Sequence, residues 1–334
     1  ERQLTPEQDE ALCEMLPALN RPQKPFLLHG VTGSGKTEVY IRLVKEAVRQ
    51  GKGAIILVPE IVLTPQMIQW FKSRFGDTMA VLHSRLSAGE RFDEWRRIRF
   101  GNARIVIGAR SAIFAPVENL GVIIVDEEHE QSYQSQNFPQ YDAREIAFMR
   151  SQRERAVCVM ASATPSIYSY AMARRGDYTL LEMPHRILNR PMPKIHLVDM
   201  REELRLGNKT MFSRALQEKL DACISSGQQA MLFINRRGHS TFVSCRKCGY
   251  VVKCRQCDLS MTLHRHGEDD PGQLRCHMCG AVQPPPETCP ECGSKYIRYF
   301  GSGTQRVEEE MHKLFPEVVT VRMDIDTTRG RDAH

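Results

Sequence analysis

Eight consecutive residues constrain this chain more than any others: Gly30-Val31-Thr32-Gly33-Ser34-Gly35-Lys36-Thr37. They match the phosphate-loop pattern GxxxxGK[ST] in full, with an apolar run over Pro25–His29 before them and an amphipathic stretch over Thr37–Gln50 after. Such a loop belongs between the carboxyl end of a parallel strand and the first turn of a helix. Its glycines let the backbone curl until several N–H groups face one point, and the helix N-terminus adds partial positive charge there. The ligand implied is the polyphosphate of ATP. Lys36 would hold the β and γ phosphates, the Thr37 hydroxyl would ligand Mg²⁺, and the backbone from Gly30 through Val31, Thr32, Gly33, Ser34 and Gly35 would cradle the oxygens.

The surrounding pattern agrees with a parallel sheet. Ala54–Pro59, Met79–His83, Arg104–Ile107, Gly121–Asp126 and Ala156–Ser162 read as buried strands, with helical stretches such as Pro65–Phe75 between them. A proline-rich passage from Met183 to Lys194 breaks the alternation, and the linker is placed there. This gives a first lobe over 1–185 and a second over 186–334. In the second, Ile195–Asp199 and Ala230–Asn235 are expected strands and Ser213–Ser226 a helix. A cysteine-rich insertion over 245–295 follows. Then come a strand at Tyr296–Phe300, a helix over Thr304–Phe315 and a strand at Val318–Met323. The second lobe is therefore expected to be α/β and incomplete at its end.

Eight of the eleven cysteines form four Cys-x-x-Cys pairs: Cys245/Cys248, Cys254/Cys257, Cys276/Cys279 and Cys289/Cys292. Each such turn presents two thiolates to one tetrahedral ion, so four pairs make two Cys₄ sites for two Zn²⁺. Full thiolate ligation leaves no open position, which makes the sites structural. His264, His266 and His277 are surplus donors, and Cys13, Cys158 and Cys223 read as ordinary buried residues. Spacing does not decide which pairs share an ion. The net charge of +6 concentrates in two runs: six arginines against Asp93 and Glu94 over Arg91–Arg110, and six Lys/Arg with no acid over Arg236–Arg255. Both suit a polyanion.

A phosphate loop needs a carboxylate partner, and the apolar run Val122–Val125 ends in Asp126-Glu127-Glu128-His129. Asp126 would bind Mg²⁺ through water and Glu127 would act as general base, while Glu128 and Glu130 read as acids solvating a strand end. Thr5-Pro6-Glu7-Gln8 reads first as a helix capping box, with Gln8 also suited to an adenine edge. Arg110 and Ser111 follow a strand and carry donors suited to DNA phosphates; Arg236 and Arg237 hold the matching place in the second lobe. Between Tyr133 and Tyr141 runs a polar, aromatic-bearing segment in which Phe138 and Tyr141 are candidates to stack on unpaired bases. Trp95 reads as a packing residue of an amphipathic helix.

Asp126–His129 resembles the DExH box of superfamily 2 helicases, and Ser162-Ala163-Thr164 resembles their third motif. Val58–Gln66 and Gly108–Pro116 are similar to DNA-contacting motifs of the first lobe, Asn235–Gly238 and Gly301–Glu310 to motifs of the second. With eight cysteines between the last two, the chain resembles the bacterial primosomal replication-restart helicases from about Leu4 onward. The resemblance implies two RecA-like lobes and an ATP-dependent 3′→5′ DNA helicase acting at stalled or abandoned forks. It also implies an aromatic-rich loop that couples DNA to hydrolysis, and nested cysteine pairing, outer with outer and inner with inner. Its implied partners are forked and single-stranded DNA, single-stranded-DNA-binding protein and other primosome proteins.

Two departures stand against that pattern. The resemblance leads one to expect an N-terminal DNA-binding region and a GRAGR-like sixth motif, and neither is read among these residues, since Arg329 and Arg331 are not in that arrangement. The expectation is a chain that binds nucleotide and hydrolyses it poorly. Two other readings compete: a duplex-DNA translocase that does not separate strands, and a zinc-ribbon recruitment protein with a regulatory nucleotide site. No apolar stretch is long enough to span a membrane and there is no secretory leader, so a cytoplasmic location is expected.

Overall fold

The computed structural model describes residues 3–21, 24–84, 86–234, 241–264, 272–300 and 304–323. The chain divides into two units, Glu1–Pro193 and Lys194–His334, and the division falls inside the proline-rich passage.

The first unit alternates strands and helices. In order these are α1 (Pro6–Met15), β1 (Phe26–Gly30), α2 (Lys36–Arg49), β2 (Gly53–Leu57), α3 (Pro65–Phe75), β3 (Met79–Leu82), α4 (Ala88–Arg99), β4 (Ile105–Gly108), β5 (Leu120–Asp126), α5 (Ala143–Glu154), β6 (Val157–Ser162), α6 (Ile167–Arg175) and β7 (Thr179–Met183). The strands form one sheet in the order β3-β4-β2-β5-β6-β1-β7, every neighbouring pair parallel. This is the parallel α/β sheet of the RecA-like helicase fold.

The continuous apolar runs are explained by two buried faces. Along β5, Val122 and Ile124 enter one core with Val39, Leu43 and Phe71, while Ile123 and Val125 enter the other with Tyr133, Ala143 and Ala147. Ala54 and Ile56 of β2 likewise point one way and Ile55 and Leu57 the other. Successive side chains of a strand face opposite sides, so a strand covered on both must be apolar throughout. The strand β7 had no counterpart in the sequence reading. Among the described residues it is an edge strand paired only with β1, and in it only Leu181 and Met183 are buried.

The order β5-β6-β1 has a functional consequence. All three strands run the same way, so the loops after β1, β5 and β6 emerge at one carboxyl edge of the sheet, where ligands of open α/β sheets bind.

The second unit contains α7 (Met200–Arg205), α8 (Arg214–Ser225), β8 (Thr241–Cys245), β9 (Thr262–His264), β10 (Gln273–Arg275), β11 (Val282–Gln283), β12 (Ile297–Phe300) and α9 (Thr304–Leu314). Its sheet is antiparallel, in the order β11-β10-β9-β8-β12. The sheet extends past the cysteines: β12, expected to resume the α/β pattern after the insertion, instead pairs antiparallel with β8, Ile297 opposite Cys245. The strands expected over Ile195–Asp199, over 230–234 and over Val318–Met323 are corrected as well, since those residues join no ladder. Ile195, Leu197, Met231, Phe233, Val319 and Val321 are exposed there. A parallel strand needs neighbours on its ladder and a covered face, and among the described residues of this unit no strand offers a parallel partner.

Candidate nucleotide site and zinc centres

The loop Gly30–Thr37 curls because Gly33 and Gly35 both take left-handed backbone, φ +84° each. Lys36, the first residue of α2, is buried, and its Nζ donates to the Gly30 carbonyl at 2.8 Å. Burial lowers its pKa, and the charges of Glu127 and Asp126 oppose that shift. The Ser34 hydroxyl is buried and has no hydrogen-bond partner among the described residues. A buried hydroxyl and a buried ammonium held by a carbonyl inside a glycine cradle fit a polyphosphate, whose oxygens would satisfy both.

The capping box upstream is present. Thr5 Oγ1 accepts from the Gln8 N–H, and Gln8 Oε1 accepts from the Thr5 N–H at 2.9 Å. Gln8 also does what capping alone does not require: its Nε2 donates to the Ser34 carbonyl at 2.9 Å, fastening α1 to the phosphate loop.

Asp126 ends β5 and is buried. Its Oδ2 accepts from the Tyr40 hydroxyl at 2.8 Å, and the Thr37 side chain hydrogen-bonds Tyr40 as well. Tyr40 lies one turn beyond Lys36 on α2, and this hydroxyl brings Thr37 and Asp126, the two expected Mg²⁺ ligands, onto one atom. Burial pushes the Asp126 carboxyl up to about 6, with Glu127 adding to the shift and Tyr40 and Lys36 opposing it. Glu127 takes left-handed backbone, φ +47°, and its N–H donates to Asp126 Oδ1 at 3.1 Å. Holding a non-glycine residue there costs about 1 kcal/mol, and Tyr133 braces the turn by donating to the Asp126 carbonyl at 2.6 Å.

Glu128 does not solvate the strand end. It is fully buried, and its carboxylate accepts from the Ser166 N–H at 2.6 Å, the Ser166 hydroxyl at 3.1 Å and the Ser169 hydroxyl at 2.8 Å. Those donors form the N-terminus of α6, where a negative charge is favoured. His129 Nδ1 lies 2.8 Å from Ser162 Oγ, which also accepts from the Thr164 N–H at 3.0 Å, and 3.6 Å from Glu127. The acidic box and Ser162-Ala163-Thr164 are therefore in direct contact. Sequence reasoning missed Tyr40, Tyr133 and the role of Glu128, since each reads locally as a core or surface residue.

The expected DNA-contacting residues separate. Phe138 is 97% exposed. Tyr141 is half-buried, its ring edge-on to Phe114 at 5.0 Å, as a residue pinning its loop would be. Arg110 holds both ends of that segment: Nη1 donates to the carbonyls of Ser132 and Gln134, and the guanidinium lies 5.7 Å from the Tyr141 ring centroid. Ser111 is exposed. Trp95 is 40% exposed, so it packs only in part. Arg236 and Arg237, with Asn235–Gly238, lie outside the described residues, as do Arg329 and Arg331.

In the second unit the sulfurs of Cys245, Cys248, Cys289 and Cys292 all lie within 4.8 Å of one another, and so do those of Cys254, Cys257, Cys276 and Cys279. The pairing is nested. Cys248 and Cys289 are 3.5 Å apart and Cys254 and Cys279 3.5 Å, close to the edge of ~3.8 Å that zinc–sulfur bonds of about 2.3 Å give a tetrahedron. All four turns share one design. The first cysteine's N–H donates to the carbonyl five residues on, and its carbonyl accepts from the N–H four residues on. That fourth residue, Gly249, Asp258, Gly280 or Gly293, takes positive φ in every case. The Cys279 and Met278 N–H groups hold the Cys276 thiol down to about 7; burial would raise Cys245, but the Cys248 and Lys247 N–H groups bring it to about 7 as well. In the same clusters the Cys257 thiol is pushed up to about 12, chiefly by the Cys279 thiol beside it, and the Cys248 thiol to about 12 against the pull of the Tyr250 N–H.

Residues 5–172 match the DEAD/DEAH box helicase family, half of the chain, and the chain belongs to that family. Residues 254–284 match the PriA DNA helicase Cys-rich region domain. At the level of single proteins, the chain resembles Replication restart protein PriA: it is 54% identical over 332 residues to that of Bacillus subtilis (strain 168), 48% over 337 residues to that of Synechocystis sp., and 41% over 338 residues to that of Chlamydia pneumoniae. These alignments cover 99%, 99% and 100% of this chain and 41%, 40% and 45% of the relatives, so the chain spans about two fifths of their length. No helix among the described residues is long and apolar enough to cross a membrane.

Proposed function

We propose that this chain forms much of the ATP-driven motor of a 3′→5′ DNA helicase that opens stalled or abandoned forks for replication restart, with forked and single-stranded DNA, single-stranded-DNA-binding protein and other primosome proteins as partners. The observation that carries the reading is the meeting of the phosphate loop, the acidic box and Ser162 at one sheet edge. Within it Lys36 feels the charges of both Asp126 and Glu127, and His129 bonds Ser162.

In this reading Lys36 exchanges the Gly30 carbonyl for phosphate oxygens, and the Ser34 hydroxyl and the loop N–H groups complete the cradle. Gln8 reads the base edge from its anchor on Ser34. Thr37 and Asp126 hold Mg²⁺, which offsets phosphate charge. Glu127 orients and deprotonates the attacking water. His129, 3.6 Å from Glu127 and hydrogen-bonded to Ser162, carries a change at the phosphate end to Ser162 and on to the Thr164 N–H. The aromatic segment Tyr133–Tyr141, held by Arg110, offers Phe138 to an unpaired base. Both Cys₄ clusters take structural Zn²⁺.

The test is Lys36→Ala in the full-length protein. Loss of ATP-dependent strand displacement on forked DNA, with fork binding retained, is the expected result. Fork processing that survives the substitution would leave the motor dispensable, and translocation on duplex without displacement would favour a translocase.

A further inference from the structure

The stretch leaving β7 reads as linker in sequence, yet its first residues lie against the phosphate loop. Val31 N–H donates to the Met183 carbonyl at 3.1 Å, and Ile187 N–H donates to the Gly33 carbonyl at 2.9 Å. His185 pairs with Glu7 of α1. A Cβ built on Gly33 would stand 3.1 Å from Nε and 3.5 Å from Nη2 of Arg186, and one on Gly35 would stand 2.9 Å from Cδ1 of Ile187 and against the Gln8 amide. The strap thus follows the loop from Gly33 to Gly35, along the flank that Gln8 also occupies.

Two further observations concern Arg186 itself. Leu188 and Asn189, the next residues but one and two, both take left-handed backbone, φ +61° and +50°. Two such residues in a row persist only where the surroundings fix them, and they gather at functional sites. Second, Arg186 is half-buried, and among the described residues it has a single hydrogen bond, Nη1 to the Pro191 carbonyl at 3.3 Å. A guanidinium carries five donors. One held beside a phosphate cradle with most of them unused suits phosphate oxygens bidentately, or the face of a base.

We propose that Arg186 is a nucleotide-contacting residue, a second cation after Lys36, which holds a nucleoside di- or triphosphate in this loop. The proposal rests on the reading of Gly30–Thr37 as the nucleotide site. The strap runs on to Pro193, the last residue of the first unit, so a nucleotide held by Arg186 is also held by the chain that connects the two units.

The test is calorimetric titration of this chain with ADP, ATP and inorganic tripolyphosphate, for the wild type, Lys36→Ala, Arg186→Ala and Arg186→Lys. Nucleotide-free melting of each variant confirms the fold. Arg186→Ala should weaken ADP and ATP about tenfold or more, and Arg186→Lys should recover part of the loss because it keeps the charge without the fork. A parallel loss for tripolyphosphate assigns the contact to the phosphate tail; a loss confined to ADP and ATP assigns it to the nucleoside half. Unchanged affinity in Arg186→Ala beside a clear loss in Lys36→Ala overturns the proposal and leaves the site standing. Unchanged affinity in Lys36→Ala removes both.

Discussion

At the scale of single residues, the site is a set of buried charges that only neighbouring groups make tolerable. Asp126 shows this best. Its carboxyl titrates at about 6 in the folded chain against 3.8 ordinarily, burial being the main cause. The folded state therefore binds the proton more tightly than the unfolded state. The stabilising contribution is complete below about pH 4 and is lost as pH rises through about 6, a change on the order of 3 kcal/mol. Urea melts in metal-free buffer should show wild-type stability falling over that window, and Asp126→Asn should flatten the fall; a slope the variant does not alter would refute this account. Tyr40→Phe removes the hydroxyl that bonds Asp126 Oδ2 and should cost the nucleotide-free chain about 1–3 kcal/mol by the same melts.

At the scale of elements, short segments are joined by polar contacts that periodicity does not predict. Glu128 closes the N-terminus of α6 from the far side of β6, so Glu128→Ala should destabilise by roughly 2–3 kcal/mol through orphaned Ser166 and Ser169 donors. Glu130→Ala, at a half-exposed position, should stay within about 0.5 kcal/mol. Equal effects in chemical denaturation would return Glu128 to the role of a surface acid. The zinc turns give a sharper case. A side chain on Gly280 would meet nothing within 4 Å, so Gly280→Ala tests its φ of +74° alone. That substitution should cost about 1 kcal/mol, read as weaker zinc in a chelator competition, whereas an unchanged zinc affinity would mean that positive φ is not what this turn requires of its fourth residue.

At the scale of the whole molecule, the two units rely on different sources of stability. The first buries two large cores on either face of seven strands. The ribbon of the second buries a few residues, Val243, Val252, Met261, Leu263 and Leu274, beside Cys254 and Cys276. A core that small leaves folding to the metal. Chelation should abolish the ribbon's amide protection from hydrogen exchange while ADP binding by the first unit stays intact. Loss of both together would show that the units do not fold independently.

The sequence by itself determined whatever depends on local spacing. The phosphate loop needs its glycines at fixed offsets, each Cys-x-x-Cys turn needs two sulfurs one turn apart, and doubly buried strands need unbroken apolar runs. Those features were legible from Pro25 to Ser162 and from Cys245 to Cys292. Tertiary structure decided what depends on distant partners. Nested zinc pairing joins Cys245 to Cys292, Glu128 is an acid inside a core because α6 presents Ser166 and Ser169 to it, and Arg186 reaches Gly33 from more than a hundred and fifty residues away. Ile195–Asp199 and Val318–Met323 show the converse: an apolar alternation states a strand's preference, but its hydrogen bonds belong to neighbours, and without them the segments join no sheet.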